Sequence, residues 1–320
     1  MADAYTSTAS GSLGGTAGAA GLVQKAYDRL VEFELRATPL LRSVADKKPA
    51  RQAMPGSTIA LQIHPEMAKV TSGLTETVDP DAVSLATPSV VNVTLVEYGN
   101  AVQVTRKLSL LSLADVDPAV ANLIAFNMAD SIDELAQTAL LTGTNVIYAA
   151  GSGTAATATS GVVVANTIRA TDIRRATAKL RAGKSSARKG SLYWCGIHPE
   201  VSVDLRAESG AANWRSPHDY QDAGAIWAGE IGSFEGAYFV ESPRLKKATD
   251  GASSINVYRT FIAGQQALAE AVAEEPHVVI GPSVDKLNRL RPIGWYGVLG
   301  HAMYRNASLF RIESSSSIAV

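Results

Sequence analysis

A chain of 320 residues with 46% hydrophobic residues is long and apolar enough to bury a sizeable core in one large or two modest domains. Its formal net charge of -1 does not mark a nucleic-acid binder. No run approaches the roughly 18–20 consecutive apolar residues that a membrane-spanning helix needs. The charged fraction, 18%, lies below the usual quarter or so and leaves neutral surface for contacts between subunits. The first residues, MADAYTSTASGSLGG, show neither the basic nor the apolar region of a secretory signal. The single cysteine, Cys195, excludes an intrachain disulfide framework, fits a reducing compartment and reads as a buried strand thiol beside Trp194 and Ile197.

Residues 1–21 are almost all Ala, Gly, Ser and Thr, and Asp3 is the one charged side chain before Lys25. Such a segment buries too little apolar surface to offset its ordering entropy, so it is expected to be mobile unless it lies across a neighbouring subunit. Leu22–Arg36 is predicted helical, because Val23, Tyr27, Leu30, Phe33 and Leu35 recur near the helical period; Pro39 closes it. In Thr58–Ile63, Ile59, Leu61 and Ile63 alternate onto one strand face. Ser89–Val96 reads as a second strand, and a third, Ala101–Lys107, follows a turn at Tyr98-Gly99-Asn100. Roughly 25 residues rich in turn formers and charges separate the first two strands. Such an arm has too little core to stand alone and needs a surface to lie on.

Asp117 as N-cap before Pro118 predicts a long helix, Pro118–Thr142: the carboxylate satisfies orphan N–H groups, and proline has no N–H to leave unpaired. Ile124, Met128, Ile132, Leu135 and Ala139 form its apolar stripe, and Gly143 stops it after about 37 Å, the length of a strut. Residues 149–167 read as a low-complexity surface loop. Thr171 is expected to cap a second helix with Ile173, Ala176 and Leu180 on one face and Gly183 as its stop. Leu192–Ile197 reads as a buried strand, His198-Pro199 as the start of a short helix through Leu205, and 207–228 as irregular. Strands are expected in Gly229–Val240, Ile255–Ile262 and His277–Ile280, and an alanine-rich helix over Gln265–Val272. The last segment, Gly281–Arg311, sets Trp295, Tyr296, Tyr304 and Phe310 among glycines and aliphatic residues and carries no plausible catalytic group.

Motifs that would bring chemistry fail on inspection. Ala178-Lys-Leu-Arg-Ala-Gly-Lys-Ser185 matches the end of a phosphate-binding loop, but Ala178 replaces the first glycine and a helix precedes it where a strand is required. Gly151-Ser-Gly153-Thr-Ala-Ala156 mimics a dinucleotide fingerprint without the acidic residue about 20 positions on. His64, His198, His218, His277 and His301 lack metal-ligand spacing, and GSFEG places its serine wrongly for a nucleophile elbow. No catalytic, cofactor-binding or metal-ligating residue is assigned. One charge pattern stands out: Arg174, Arg175, Lys179, Arg181, Lys184, Arg188 and Lys189, with no acidic residue between Asp172 and Glu200. It reads as a solvated helix face, as a patch for DNA phosphates, or as a patch for an acidic face of the next subunit. Asp130, Asp133, Glu134, Glu270, Glu274 and Glu275 are the candidate acids.

The order of these pieces carries a resemblance. A floppy N-terminal segment, a β-arm, a long capped helix, the strand-to-helix IHPEVSVDL, then GEIGSFEGAYFVESP and finally GWYGVLGHAMYR resemble the major capsid proteins of tailed bacteriophages. More narrowly the chain is similar to the N-four-like major capsid family, a branch of the Hong Kong-type phage coat fold. The resemblance runs from about residue 22 onward and rests on order and spacing. It implies an α+β subunit: an N-terminal arm and short helix (1–44), an extended β-loop (45–110), a peripheral domain on a spine helix (111–190, helix 118–142), a mainly axial domain (191–280), and C-terminal strands returning to the body (281–320). It implies copies that form hexamers and pentamers and close into an icosahedral head in the virion, assembled in the host cytoplasm. Packaged double-stranded DNA would be contacted without sequence specificity, and scaffold, portal and cement proteins are further partners. Neither an enzyme activity, a cofactor nor a membrane is implied. Some relatives join a lysine of the extended loop to a neighbour's asparagine; here the residues would be Lys69 with Asn288 or Asn306, and no motif supports the pairing. Many relatives begin with a cleaved scaffolding segment; none precedes Leu22, so a separate scaffold or none is expected. The rival readings are an encapsulin-type nanocompartment shell, an enzyme with an unrecognised site, and a tail or decoration protein, which the long helix disfavours.

Overall fold

The structure, a computed structural model, describes residues 39–49, 58–71, 73–74, 76–77, 79, 83–111, 116–208, 230–283, 285 and 287–318. The helix expected at Leu22–Arg36, the N-terminal segment before it and most of the stretch 207–228 lie outside the described residues. In chain order the elements are β1 Ala45–Pro49, β2 Thr58–Ile63, β3 Ser89–Thr94, β4 Val96–Thr105, α1 Arg106–Leu111, α2 Val116–Leu141, β5 Val146–Tyr148, α3 Ala170–Ala182, β6 Tyr193–Ile197, α4 Pro199–Ala207, β7 Glu230–Phe234, β8 Ala237–Glu241, β9 Lys247–Ala248, β10 Val257–Ala263, β11 Leu268–Ile280, β12 Leu290–Met303 and β13 Leu309–Ser314.

Three sheets result. One has the order β1-β11-β12-β4; a larger one runs β5-β13-β10-β6-β8-β7 with β9 on β10; β2 and β3 pair alone. The chain passes from the larger sheet to the smaller between β10 and β11, and back between β12 and β13, each time within a few residues. Both crossings meet the C-terminal half of α2: Ala136, Ala139 and Leu140 pack with Trp194, Phe261, Leu268 and Leu309 in one buried cluster. The N-terminal half of α2 lies on the smaller sheet through Ile124, against Val104, Ile293 and Trp295. Polar contacts fix its rotation. Asn127 Oδ1 accepts from Trp295 Nε1 at 3.0 Å and from Asn100 Nδ2 at 3.2 Å, and Gln137 donates to the Arg244 carbonyl at 3.1 Å. The larger sheet has its own core, in which Ile173, Ala176 and Leu180 of α3 meet Tyr193, Phe239, Tyr258 and Ile262.

β5 lies in the larger sheet with α3 packed on it, and β11 lies in the smaller sheet. Local expectations shift in places. The long helix begins at Val116, so Asp117 and Pro118 sit in its first turn, where proline costs no intrahelical bond. The second helix begins at Ala170. Its entry is satisfied not by Thr171 but by Asp172, whose carboxylate reaches back to the Arg169 N–H at 3.2 Å, and by Glu208, which accepts the Ala170 N–H at 2.8 Å. Tyr98-Gly99-Asn100 is no turn; β4 runs straight through it, with Gly99 opposite Tyr296. A Cβ at Gly99 would lie 2.7 Å from the Trp295 carbonyl oxygen, so the glycine serves a close strand approach. Gln265–Val272 is not helical either. Ala269 and Ala271 pack with Val93, Ile59 and Leu61 at the base of the β2–β3 pair, and the strand is held between β1 and β12. Tertiary packing overrides the helix preference of alanine. The loop 149–167 is ordered around the buried Asn166, whose amide donates to the carbonyls of Ala150 and Thr154 and accepts the Val163 N–H.

Where the chain leaves residue 38 it is tied down firmly. The buried Asp133 on α2 accepts the N–H groups of Leu41 (2.5 Å) and Arg42 (3.1 Å), while burial pushes its carboxyl pKa up. Arg42 reaches the wholly buried Glu270 at 2.8 Å and Glu275 at 3.1 Å; Lys47 also holds Glu275. His301 stands 3.9 Å from Glu270 with only 3% of its side chain exposed. Burial, with the Arg42 charge adding to it, lowers the His301 pKa to about 4.

Two outcomes follow from this packing. A Cβ at Gly300 would run into the Thr94 carbonyl, whereas one at Gly73 meets nothing. Gly300→Ala is therefore expected to cost about 1–3 kcal/mol in thermal or denaturant unfolding, with Gly73→Ala near neutral. His301 is held neutral in the fold and takes up its proton far more readily when unfolded. Its contribution is fully present above about pH 6.5 and is lost as pH falls toward 4. Wild type should lose about 3 kcal/mol more than His301→Gln over that interval, in unfolding curves at stepped pH.

Candidate subunit-association surfaces

The β-arm is anchored at one end and uncovered at the other. β2 and β3 pair in register from Thr58↔Thr94 to Ile63↔Ser89, and their base packs on Ala269, Ala271 and Tyr304. The described residues between them form no strand or helix and carry large apolar side chains in solvent: Met67 is 60% exposed, Val70 81%, Leu74 76%, Val83 67% and Leu85 77%. Each such side chain forgoes roughly 1.5–3 kcal/mol that burial would bring. Isolated exposed apolar residues are ordinary, but a contiguous run on one projection marks a surface meant for a partner. Glu66 forms an ion pair with Lys184 beyond the end of α3, and that hydrogen bond and charge lower the Glu66 pKa. Lys69, in this loop, is exposed; Asn306 is held by Thr144, whose N–H it accepts at 3.0 Å, and Asn288 has a positive φ of 59°.

The basic run is not one free patch. Arg188, 17% exposed, brackets the body by donating to the Ser43 and Gly264 carbonyls and pairing with Asp46. Arg174 pairs with Glu235 at 2.7 Å, which raises the guanidinium pKa further, and Arg175 lies 3.8 Å from Asp172. Lys179 sits over the Phe310 ring and Lys189 over that of Tyr238. Arg181 packs against Gly236, at the Glu235-Gly236 turn between β7 and β8, where both residues take positive φ. Arg174, Arg175 and Lys179 remain solvent-facing on α3.

None of the six acids proposed as partners meets this run within the chain. Asp130 pairs with Arg244, Glu134 with Lys246, Glu274 with His277, and Glu270 and Glu275 with Arg42, while Asp133 serves backbone N–H groups. A further cationic cleft escaped the sequence reading. Arg106, Arg289 and Arg291 line it together, although more than 180 positions separate the first from the others. The β4–β12 pairing, Leu290↔Thr105 and Arg291↔Val104, brings them together, and no local signal announces it.

Three groups that could do chemistry are engaged in the fold. Burial pushes the Cys195 thiol well up, so it stays protonated. Tyr258 is held protonated by burial and by its hydrogen bond to Glu200. His198 caps α4 by accepting the Glu200 N–H, and burial lowers its pKa. Among the described residues no group of His, Cys, Asp and Glu is placed to hold a metal, and no helix is long and apolar enough to cross a membrane.

Comparison with known proteins identifies the fold and the family. The capsid of Ralstonia phage GP4 superimposes with a TM-score of 0.73 at 15% identity, covering 92% of this chain and 95% of that one. The capsid asymmetric unit of cyanophage Pam1 gives 0.70 at 15% identity, covering 93% and 98%. The head structure of Helicobacter pylori bacteriophage KHP40 gives 0.68 at 13% identity, covering 92% and 96%. At these identities the likeness is one of fold. Comparison with curated proteins returns no match. A family model described as phage capsid protein matches residues 24–318, nearly the whole chain. With that match, an α+β fold shared with phage capsids, and a body that leaves an apolar arm uncovered, the chain belongs to the phage capsid protein family.

Proposed function

We propose that the chain is the major head subunit of a tailed double-stranded DNA phage, and that its copies associate as hexamers and pentamers that close into an icosahedral shell. The observation that carries this is the β-arm: its base is packed within the subunit, and its apolar tip finds no cover there. Laying that tip over a neighbour buries it, and obligate contacts of this kind commonly bury about 2,000–5,000 Å². Head-to-tail repetition of one contact closes rings, and curvature between rings closes a shell. In this reading the smaller sheet with α2 is the peripheral domain and the larger sheet with α3 and α4 the axial domain. Scaffold, portal and cement proteins are the further partners, and assembly takes place in the host cytoplasm before DNA fills the head. The solvent-facing Arg174, Arg175 and Lys179 offer charge either to DNA phosphates or to an acidic surface of the next subunit. The Arg174–Glu235 ion pair within the subunit is largely exposed and adds little to stability.

Gel filtration with negative-stain microscopy of the purified chain is the direct test: shells, or rings of six or five, are expected. A chain that stays monomeric at every concentration, both alone and when co-expressed with the other head proteins, would overturn the reading. Deleting Lys69–Asp81 should leave a soluble subunit with unchanged circular dichroism that forms no shell; closed particles from this deletion would remove the arm from the assembly mechanism. Reversing Arg174, Arg175 and Lys179 to glutamate should preserve folding and impair assembly or packaging. Normal particles with full DNA from that triple variant would dismiss the role given to these cations.

A further inference from the structure

We propose that the cleft between the start of α1 and the turn joining β11 to β12 is a binding site for a small polyphosphate anion, one that carries several phosphate charges in a compact group. All the residues of the site come from one subunit, so it does not depend on how copies associate.

Backbone pairing builds the cleft. Arg106 opens α1, Arg289 ends the β11–β12 turn and Arg291 is the second residue of β12. The Arg106 N–H donates to the Arg289 carbonyl at 2.8 Å, and Arg291 pairs in register with Val104. The three arginines line an open cleft of about 440 Å³ together with Thr105, Ser283 and Asn288. That volume falls within the ~300–1,000 Å³ range of small-ligand sites. Among the described residues that line it there is no Asp or Glu. Asp285, outside the lining, holds Arg289 at 2.6 Å and so orients that guanidinium.

The chemistry of the lining selects the ligand. Gathering like charges is unfavourable until a counter-charge joins them. Each guanidinium presents a planar fork of N–H donors that matches two phosphate oxygens. The Asn288 amide and the Ser283 hydroxyl can donate as well. Thr105 Oγ1 already accepts the Leu108 N–H at 3.2 Å, which leaves its hydroxyl hydrogen to donate. The lining therefore offers donors and no carboxylate to repel an anion. A duplex spreads its charge along the backbone, one phosphate after another; a condensed phosphate chain places several charges within the volume of the cleft. Leu108 and Leu287, neighbours of the cleft residues along the chain, are 51% and 68% exposed and would gain nothing from a duplex. An acidic peptide meets the same forks with one charge per side chain, a poorer match to three arginines in one cleft.

Isothermal titration of the full-length chain with inorganic triphosphate at low salt tests this. Saturable binding of one triphosphate per chain is expected, weakened at least about tenfold in Arg106→Gln with Arg291→Gln, because two charge-assisted contacts are lost. Lys107→Gln removes an exposed cation beside the cleft that does not line it, and should bind as the wild type does. A second measurement needs no variant to fold. In the wild type, triphosphate should shield Arg106, Arg289 and Arg291, but not Arg174 and Arg175, from modification by phenylglyoxal, read by peptide mass spectrometry. Absence of saturable binding, several weak equivalents per chain, undiminished binding by the double variant, or no shielding would each overturn the proposal. So would tighter binding of a short DNA duplex or of a glutamate peptide at the same arginines. A chain that binds triphosphate as expected and forms no shell would strike the reading as a head subunit and leave this site standing.

Discussion

The fold depends on a wedge. The C-terminal half of α2 sits where the chain crosses from the larger sheet to the smaller and back, and Ala136, Ala139 and Leu140 press into Trp194, Phe261, Leu268 and Leu309. Because β10 and β11 are separated by only Gly264–Ala267, and β12 and β13 by Tyr304–Ser308, neither sheet can rotate against the other without opening this cluster. The same helix then runs across the smaller sheet to Trp295. One strut of 26 residues, about 39 Å at the helical rise, therefore carries the relative position of both sheets.

Rigidity of the body is what makes the uncovered parts useful. The entry of the N-terminal segment is bound by Asp133 through backbone N–H groups and by Arg42 through Glu270 and Glu275. Buried polar contacts of this sort add little net stability, since desolvation cancels much of their attraction, but breaking one leaves a partner unpaired in the interior. They hold the root of the N-terminal segment at one place. The base of the β-arm is held likewise, by apolar packing on the small side chains of β11. A projection with a fixed root presents its apolar tip in a defined direction, so less entropy is lost when that tip binds.

The basic run shows how tertiary structure divides a linear pattern. Seven cations without an intervening acid suggest one electrostatic surface, yet acids from distant segments reach them: Glu235, Asp46 and Glu66. Arg188 becomes a bracket inside the body, Lys179 and Lys189 lie over aromatic rings, Lys184 meets Glu66, and the outer face of α3 keeps Arg174, Arg175 and Lys179 in solvent. In the same way the cleft of Arg106, Arg289 and Arg291 is assembled entirely by strand register.

Much was legible in the residues alone. The long helix, the all-buried strand Tyr193–Ile197, the His198-Pro199 helix start, the Gly183 stop and the arm strands all follow from period, capping and turn chemistry, which act over a few residues. The order of these pieces was enough to suggest the family. Three kinds of feature needed the folded chain. The strand at Leu268–Val272 depends on neighbours that cover its alanines; the straight passage through Gly99 depends on the facing carbonyl of Trp295; the division of charges depends on partners up to more than 100 positions away. The sequence by itself determined which segments are regular and that one of them projects with apolar residues it cannot bury. Only the tertiary structure decided which sheet each segment joins and which charges stay open to a partner, because burial and ion pairing are set by contacts between residues far apart along the chain.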